Sequence, residues 1–223
     1  MIICFSGTDG SGKTTQINEA IKILKSNNYK TKYIWSRGGY TPLFNLTKKL
    51  LWLIGKNNIN NNILSDKYIK RRKKNLNNVF IAKVWLFIST IDLILLYCLY
   101  VRLLSLFGYI VICDRYVADT TIDFSINFSN YFNEKGLLYK VLTLLAPNPD
   151  LHIVITVPVN ISLSRGKKKN EPFPDDFEKL KIRLKYYNKR KEFFGKNKLR
   201  LNGCETITFN NKLIIKKIFN LIK

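Results

Sequence analysis

The residues best suited to chemistry stand near the start of the sequence, in the segment Gly7-Thr8-Asp9-Gly10-Ser11-Gly12-Lys13-Thr14-Thr15. The segment fits the spacing Gly-x-x-x-x-Gly-Lys-Ser/Thr, in which backbone N–H groups surround phosphate oxygens. Lys13 is the candidate catalytic cation for the outer phosphates, and the Thr14 hydroxyl is a candidate ligand for Mg²⁺. The whole segment, residues 7–15, is therefore expected to bind the phosphates of a nucleotide.

The flanking residues supply the elements that must hold such a loop. Residues 1–6 are apolar and predict a buried strand, whereas residues 16–25 place Ile17, Ile21 and Leu24 on one helical face. A strand, a glycine-rich turn and a helix N-terminus form the context that the motif requires. The positive end of the helix dipole adds to the attraction for phosphate.

A second acidic motif follows another apolar run. Residues 109–116 read Tyr-Ile-Val-Ile-Cys-Asp-Arg-Tyr and predict a buried strand that ends in charged residues. In phosphate-loop enzymes the carboxylate at this place meets Mg²⁺, often through water, which makes Asp114 a candidate metal residue. Arg115 is expected at the same sheet edge as Lys13. A salt bridge at the end of the strand is the alternative interpretation.

Strand and helix patterns alternate along the chain without a repeat or a linker. Further strands are predicted at residues 32–35, 151–157 and, weakly, 205–209, and further helices at residues 137–145, 177–194 and 213–222. This alternation predicts an α/β fold in which a parallel sheet is covered by helices on both faces. By length, residues 1–223 form a single domain.

Two segments outside these elements carry cations that could meet an anionic ligand. Arg37 precedes two glycines at the end of the second predicted strand, where open α/β sheets place ligand groups, although a surface arginine is almost as good an interpretation. Residues 162–172 form a basic loop that contains glycine and proline. We interpret residues 163–176 as a mobile lid whose Arg165 and Lys167 to Lys169 close over phosphates, and a solvated connector is the alternative.

Residues 84–101 are almost wholly apolar, with Asp92 as their single charge, and are long enough to raise the question of a membrane span. A spanning helix would separate the strand at residues 109–116 from the phosphate loop by a bilayer, so the two could not share a sheet. The favoured interpretation is a long helix packed on the sheet, with Asp92 facing the site or a polar partner.

The composition narrows the class of protein. The net charge of +23 fits a polyanionic partner, either nucleic acid or an anionic membrane surface, or else a bias towards Lys, Asn and Ile. The bias is favoured, because no nucleic-acid motif is visible; membrane contact stays an unfavoured interpretation. The four cysteines have no Cys-x-x-Cys spacing, and no secretory signal precedes the phosphate loop, so a reduced, cytoplasmic protein is expected. His152 lies in an apolar run and is expected to be structural.

Taken in order, these motifs resemble the thymidylate kinase family of phosphate-loop kinases over nearly the full chain. The markers are the phosphate loop with its unusual Asp9, Arg37-Gly38-Gly39-Tyr40-Thr41, Asp114-Arg115-Tyr116, Asn148-Pro149-Asp150-Leu151 and the lid from Arg165. The resemblance implies a five-stranded parallel sheet of the nucleotide-kinase type and a homodimer formed through the long apolar helix. It also implies transfer of the γ-phosphate of ATP to a nucleoside monophosphate, dTMP + ATP giving dTDP + ADP.

The same resemblance assigns roles by position. Asp9 would contact the sugar hydroxyl of the acceptor, while Arg37 and Arg115 would hold its phosphate. Thr14 and Asp114 would serve Mg²⁺. The substrate-binding set on this basis is Asp9, Arg37, Asp92, Arg115 and Tyr116. Because Gly10 stands where some members have arginine, the catalytic cations would come from Lys13, Arg115 and the lid residues Arg165 and Lys167.

This sequence differs from the family's pattern at the positions that the family uses to contact the nucleobase. Ile91-Asp92-Leu93-Ile94 stand where the family has an arginine, and Asp123-Phe124 stand in place of a tyrosine-glutamine pair. A kinase of the same fold with another nucleotide, sugar or lipid phosphate as acceptor therefore stays open. Two further classes of protein also fit a phosphate loop. One is a nucleotide-driven switch, disfavoured by the absence of an Asn-Lys-x-Asp motif, and the second is a non-catalytic binder of nucleotide or nucleic acid.

Overall fold

The computed structural model describes residues 1–36, 79–168, 175–193 and 197–222, with Leu138, Lys167 and Lys168 described by their backbone alone. Within these ranges lies a parallel sheet of five strands in the order β2-β3-β1-β4-β5. The strands are β1 (Ile2–Gly7), β2 (Thr31–Trp35), β3 (Ile110–Asp114), β4 (Leu151–Thr156) and β5 (Lys198–Asn202). The α/β fold expected from the alternating pattern is confirmed.

Helices connect and cover these strands. They are α1 (Lys13–Ser26), α2 (Val79–Leu106), α3 (Val117–Asn127), α4 (Leu137–Leu145), α5 (Val159–Lys168), α6 (Phe177–Lys189) and α7 (Ile207–Ile222). Within α2 the segment Leu95–Val101 is π-helical, and a short 3₁₀ turn (Lys191–Phe193) follows α6.

The core lies on both faces of the sheet because side chains alternate along each strand. Ile3 and Phe5 of β1 pack in the cluster that also holds residues of α1 and α7, whereas Ile2 and Cys4 pack in the cluster with residues of α2, α3 and α4. Strands buried on both sides read as continuous apolar runs, which is why β1, β3 and β4 were visible in the sequence. β1 lies between β3 and β4, with Phe5 beside Asp114 and Gly7 beside Ile155.

The predicted last strand at residues 205–209 is wrong. β5 is Lys198–Asn202, which pairs with β4 from His152↔Lys198 to Thr156↔Asn202, and α7 begins at Ile207. β5 is an edge strand with only Leu201 well buried, so its sequence lacks the apolar run of a central strand. The Thr206 hydroxyl accepts a hydrogen bond from the Phe209 N–H at 3.2 Å, and this contact supports the start of α7.

Two other predicted boundaries differ from those in the structure. The helix expected over residues 177–194 ends at Lys189, where the 3₁₀ turn takes over. Residues 162–168, interpreted as the start of a loop, belong to α5. Residues 37–78 and 169–174, which include Arg37 and the lid residue Lys169, lie outside the described residues.

The apolar segment is a helix, as expected, and begins earlier, at Val79. It is the one described helix long and apolar enough to cross a membrane by length and composition, and a third of its most apolar window is buried inside the protein. The core helix of a soluble protein meets the same criterion. Its buried side includes Ala82, Leu93 and Tyr97, which pack on the sheet in the cluster that contains β1 and β3.

Candidate active site

The phosphate loop turns from β1 into α1 at the carboxyl end of the sheet. Gly12 has a φ of +92° immediately before α1 begins at Lys13, a left-handed conformation that favours glycine. A Cβ on Gly7 would lie 1.8 Å from the carbonyl oxygen of Ile155, so a side chain there would force β1 and β4 apart. These glycines explain why the loop can curl tightly against the sheet.

Lys13 points back into the loop that precedes it. Its Nζ donates hydrogen bonds to the carbonyl oxygens of Gly7 at 3.0 Å and Thr8 at 2.7 Å. The side chain is buried, and burial lowers the pKa of its ammonium group, with the nearby Arg115 adding to the effect. The ammonium thus lies where the phosphates of a nucleotide would be bound, held by acceptors that phosphate oxygens can replace.

Arg115 forms an ion pair with Asp9 of the phosphate loop. Arg115 has a φ of +75°, which is uncommon for a residue other than glycine, and its N–H donates to the carbonyl oxygen of Phe5 at 2.8 Å. Burial acts to lower the pKa of the guanidinium, but Asp9 and further acids raise it well above its usual value. Its buried Nη1 has no hydrogen-bond partner among the described residues and is therefore suited to an anion.

Asp114 ends β3 beside the start of the phosphate loop. Its Oδ2 accepts a hydrogen bond from the Tyr33 hydroxyl at 3.1 Å, whereas its buried Oδ1 has no hydrogen-bond partner within the described part of the chain. The Thr14 hydroxyl lies on an exposed residue in the first turn of α1. One carboxylate and one hydroxyl match the way Mg²⁺ is bound together with nucleotide phosphates, so these residues fit the ion.

Among the residues described, no group of three or more His, Cys, Asp or Glu side chains is placed to hold a metal. The described residues therefore contain no candidate metal site made wholly of such protein ligands. This is compatible with an Mg²⁺ ion that takes its remaining ligands from phosphate and water.

Arg165 lies against the phosphate loop from the first half of the proposed lid. Its Nη1 donates to the carbonyl oxygens of Gly10 at 3.2 Å and Gly203 at 2.9 Å. The Ser162 hydroxyl, one turn earlier on α5, donates to the carbonyl oxygen of Asp9 at 2.5 Å. α5 therefore brings Arg165 to the phosphate loop. Lys167 is described by its backbone alone, and the catalytic roles of both residues stay predictions.

Tyr116, Asp92 and Arg37 complete the predicted substrate-binding set. Tyr116 is buried; its ring packs on Tyr97 and its hydroxyl donates to the carbonyl oxygen of Pro147 at 2.7 Å. Asp92 is a buried residue of α2 and is not without an interaction partner. Arg37 lies outside the described residues. The contacts of Tyr116 with Tyr97 and Pro147 are structural, and its binding of substrate stays a prediction.

A row of paired side chains joins α3 to α6, and the sequence reasoning missed it. The Tyr187 hydroxyl donates to Asp119 Oδ1 at 2.7 Å, and Arg183 forms an ion pair with Asp123. The partners are four residues apart on each helix, so the contacts form two rungs between antiparallel helices. Asp175 also pairs with Arg183, at 2.5 Å from its Nε. The spacing of four on both helices was the signal that could have found this row.

Asp119 also joins the row to the sheet. Its Oδ2 accepts hydrogen bonds from the Tyr116 N–H at 3.0 Å and from the Ser6 hydroxyl at 2.5 Å. Ser6 in turn lies 2.7 Å from Nε2 of His152. Burial lowers the pKa of His152 to about 4, so the ring is neutral and its Nε2–H donates to Ser6. The position and neutrality of His152 fit the structural role expected for it.

A cavity of about 470 Å³ opens at the same edge of the sheet. Its lining comes from the ends of β4 and β5 and from α6, namely Thr156, Val157, Pro158, Leu184, Arg200, Leu201 and Asn202. A Cβ on Gly203 would meet both Val157 and the carbonyl oxygen of Ser11, so the cavity borders the phosphate loop. The lining is mostly apolar, with Thr156, Arg200 and Asn202 as its polar members.

The chain is similar to known proteins over most of its length. The family model described as thymidylate kinase matches residues 5–208. A curated protein from Caldicellulosiruptor saccharolyticus named thymidylate kinase is 28% identical over 201 residues, which span 85% of this chain and 81% of that protein. The residues matched by the family model include the phosphate loop, the end of β3 and both helices of the row.

Proposed function

The chain belongs to the thymidylate kinase family and is a nucleotide kinase, and from this premise we propose that it transfers the γ-phosphate of ATP to thymidylate. The observation that carries the proposal is the convergence of Lys13, Asp9 and Arg115 at one edge of the sheet, beside Asp114. The name of the curated relative supports thymidylate as the acceptor. The cytoplasm is the proposed location, as expected from the composition.

The donor binds in the phosphate loop. The loop N–H groups and the N-terminus of α1 face the phosphates, and Lys13 exchanges its two loop carbonyls for phosphate oxygens. Arg165, already on the carbonyl of Gly10, adds a cation on the α5 side of the same loop. Thr14 and Asp114 would hold Mg²⁺, which neutralises the charge that develops on the transferring phosphate.

The acceptor binds between Asp9 and Arg115. Arg115 Nη1 is the buried donor that a phosphate oxygen can satisfy, and Asp9 offers a carboxylate to a sugar hydroxyl. Binding at Nη1 therefore gives a partner to a buried donor that has none among the described residues. No general base is needed, because the acceptor phosphate is already ionised at neutral pH; positioning and charge stabilisation carry the rate.

The surroundings of Asp123 give no reason to propose an acceptor other than thymidylate. It stands where the family has a base-side tyrosine and could have been interpreted as a carboxylate that faces a ligand. In the structure it is ion-paired with the fully buried Arg183. Its charge is thereby compensated within the protein.

The test is release of ADP from ATP and Mg²⁺ with a panel of nucleoside monophosphates. We expect thymidylate to give the highest kcat/KM, and Lys13→Ala to abolish turnover. If another nucleotide gave the highest kcat/KM, the protein would still be a nucleotide kinase, but thymidylate would not be its preferred acceptor. A panel without turnover, when the protein still binds ATP, would contradict the proposal and direct the search to sugar and lipid phosphates.

A further inference from the structure

The buried charge of Arg183 lies outside the contacts that hold the nucleotides. Its side chain is wholly buried and is among the largest such side chains among the residues described. A buried guanidinium is costly unless acids compensate it, and Arg183 has two, Asp123 on α3 and Asp175 just before α6. A hydrophobic side chain of similar size would fill the same space without needing either acid, so packing alone does not explain the group.

The position of α3 connects this charge with the acceptor site. α3 begins at Val117, two residues after Arg115, and its first turn is tied to the chain entering it by the hydrogen bond from Tyr116 N–H to Asp119. The left-handed backbone of Arg115 therefore leads directly into a helix that the Asp119–Tyr187 and Asp123–Arg183 rungs hold against α6. A shift of α3 would be passed to Arg115.

Electrostatic interactions also connect Arg183 with Arg115. Asp123 raises the pKa of Arg115, after the larger effects of burial, Asp9 and Tyr187. Burial acts to lower the pKa of Arg183, but Asp123 and Asp175 raise it above its usual value, with Arg115 opposing them. The negative charge of Asp123 therefore acts on both guanidinium groups. With Arg183 present, Asp123 is ion-paired; without that ion pair, its charge would act more strongly on Arg115 and would repel the phosphate.

We propose that Arg183 is a positioning residue for the acceptor phosphate: by neutralising Asp123 and fixing α3, it keeps the Arg115 guanidinium available to that phosphate. The inference rests on the proposed function, because it names the device that prepares the acceptor side of the same site. Arg183 touches neither substrate and acts through Asp123.

The experiment compares acceptor and donor kinetics in four variants of the full chain. Arg183→Met is expected to raise the KM for thymidylate about tenfold and leave the KM for ATP nearly unchanged. Arg183→Lys keeps the charge and should stay close to wild type. Asp123→Asn combined with Arg183→Met should recover most of the acceptor affinity, because the variant no longer carries the acid that lost its ion pair with Arg183. Tyr187→Phe is the matched control, since it weakens the other rung between the same helices without changing charge.

A second readout does not depend on turnover. The Nε–Hε signal of Arg115 in a ¹⁵N NMR spectrum, assigned by its loss in Arg115→Lys, should move further in Arg183→Met than in Tyr187→Phe, because only the first change breaks the ion pair of Asp123 with Arg183. If wild type does not phosphorylate thymidylate but this signal moves further in Arg183→Met than in Tyr187→Phe, the proposed acceptor fails and the positioning role stands. An unmoved signal, or equal effects of Arg183→Met and Tyr187→Phe on acceptor KM in folded protein, would overturn the inference.

Discussion

The guanidinium of Arg115 is bonded to the carboxylate of Asp9 across the carboxyl end of the sheet. The family resemblance assigns these residues to the phosphate and the sugar hydroxyl of one acceptor. In the structure they hold each other, and both side chains are mostly shielded from solvent. The structure therefore joins the two proposed acceptor residues in an internal ion pair.

This ion pair should contribute to stability when no ligand is bound. Asp9→Ala leaves a buried guanidinium without its closest acid and is expected to lower the free energy of unfolding by about 3 kcal/mol, measured by urea denaturation. Asp9→Asn keeps an acceptor oxygen and should cost less. Glu205→Ala, which removes an exposed acid, is the control and should change little. Equal stability of Asp9→Ala and wild type would contradict the pairing.

Lys13 should be needed for turnover but not for folding. Lys13→Ala removes the cation that faces the outer phosphates, and kcat is expected to fall by about a hundredfold or more. Circular dichroism should show an unchanged fold. Lys22→Ala on the exposed side of α1 is the control, with kcat as in wild type. Full activity of Lys13→Ala would contradict a catalytic role of the phosphate loop.

Asp114 should set the requirement for Mg²⁺. Asp114→Asn loses the charge but keeps an oxygen for the Tyr33 hydroxyl, so activity should need a higher Mg²⁺ concentration, seen by titrating the metal at saturating ATP. Tyr33→Phe removes only the hydroxyl partner and should shift the metal dependence far less. If the two variants had the same metal dependence, Asp114 would be a structural acid.

The buried His152 should make the protein less stable in weak acid. Its pKa is lowered to about 4 in the folded protein, whereas the unfolded chain titrates near its ordinary value, so the unfolded state takes up a proton first as the pH falls. The free energy of unfolding should drop by about 2 kcal/mol from pH 7 to pH 5 through this group alone. His152→Gln should show a correspondingly smaller drop between the same two pH values. An identical drop would assign the acid sensitivity to other groups.

The outer face of α2 should pair with a second copy of the chain, as the family resemblance implies. Phe80 and Leu99 are 75% and 54% exposed on this helix, and an apolar surface of this kind is typically covered. Leu99→Glu should convert a dimer into a monomer by light scattering coupled to size exclusion. Ile182→Glu, an equally drastic change at an exposed apolar position of α6, should leave the mass unchanged. A monomeric wild type would contradict the expected homodimer.

The sequence by itself determined the phosphate loop, the three central strands and the acid that ends β3. Each of these depends on residues close together in the chain: glycines at fixed spacing, apolar runs buried on both faces, and a charge at a strand end. Asp9, Lys13, Asp114 and Arg115 could be chosen as candidate site residues for that reason. Edge strand β2 was also predicted, from its residues 32–35, whereas edge strand β5 could not be found, because its residues alternate between polar and apolar and form no apolar run.

Only the tertiary structure decided which of these residues meet. That Arg115 bonds to Asp9, that Arg165 reaches the carbonyl of Gly10, and that Asp123 is neutralised by Arg183 depend on elements far apart in the sequence packing side by side. The sequence shows the charge of each side chain but not the neighbour that compensates it. The free energy of a buried charge depends on that neighbour, so the role of each charged residue could be identified only in the fold.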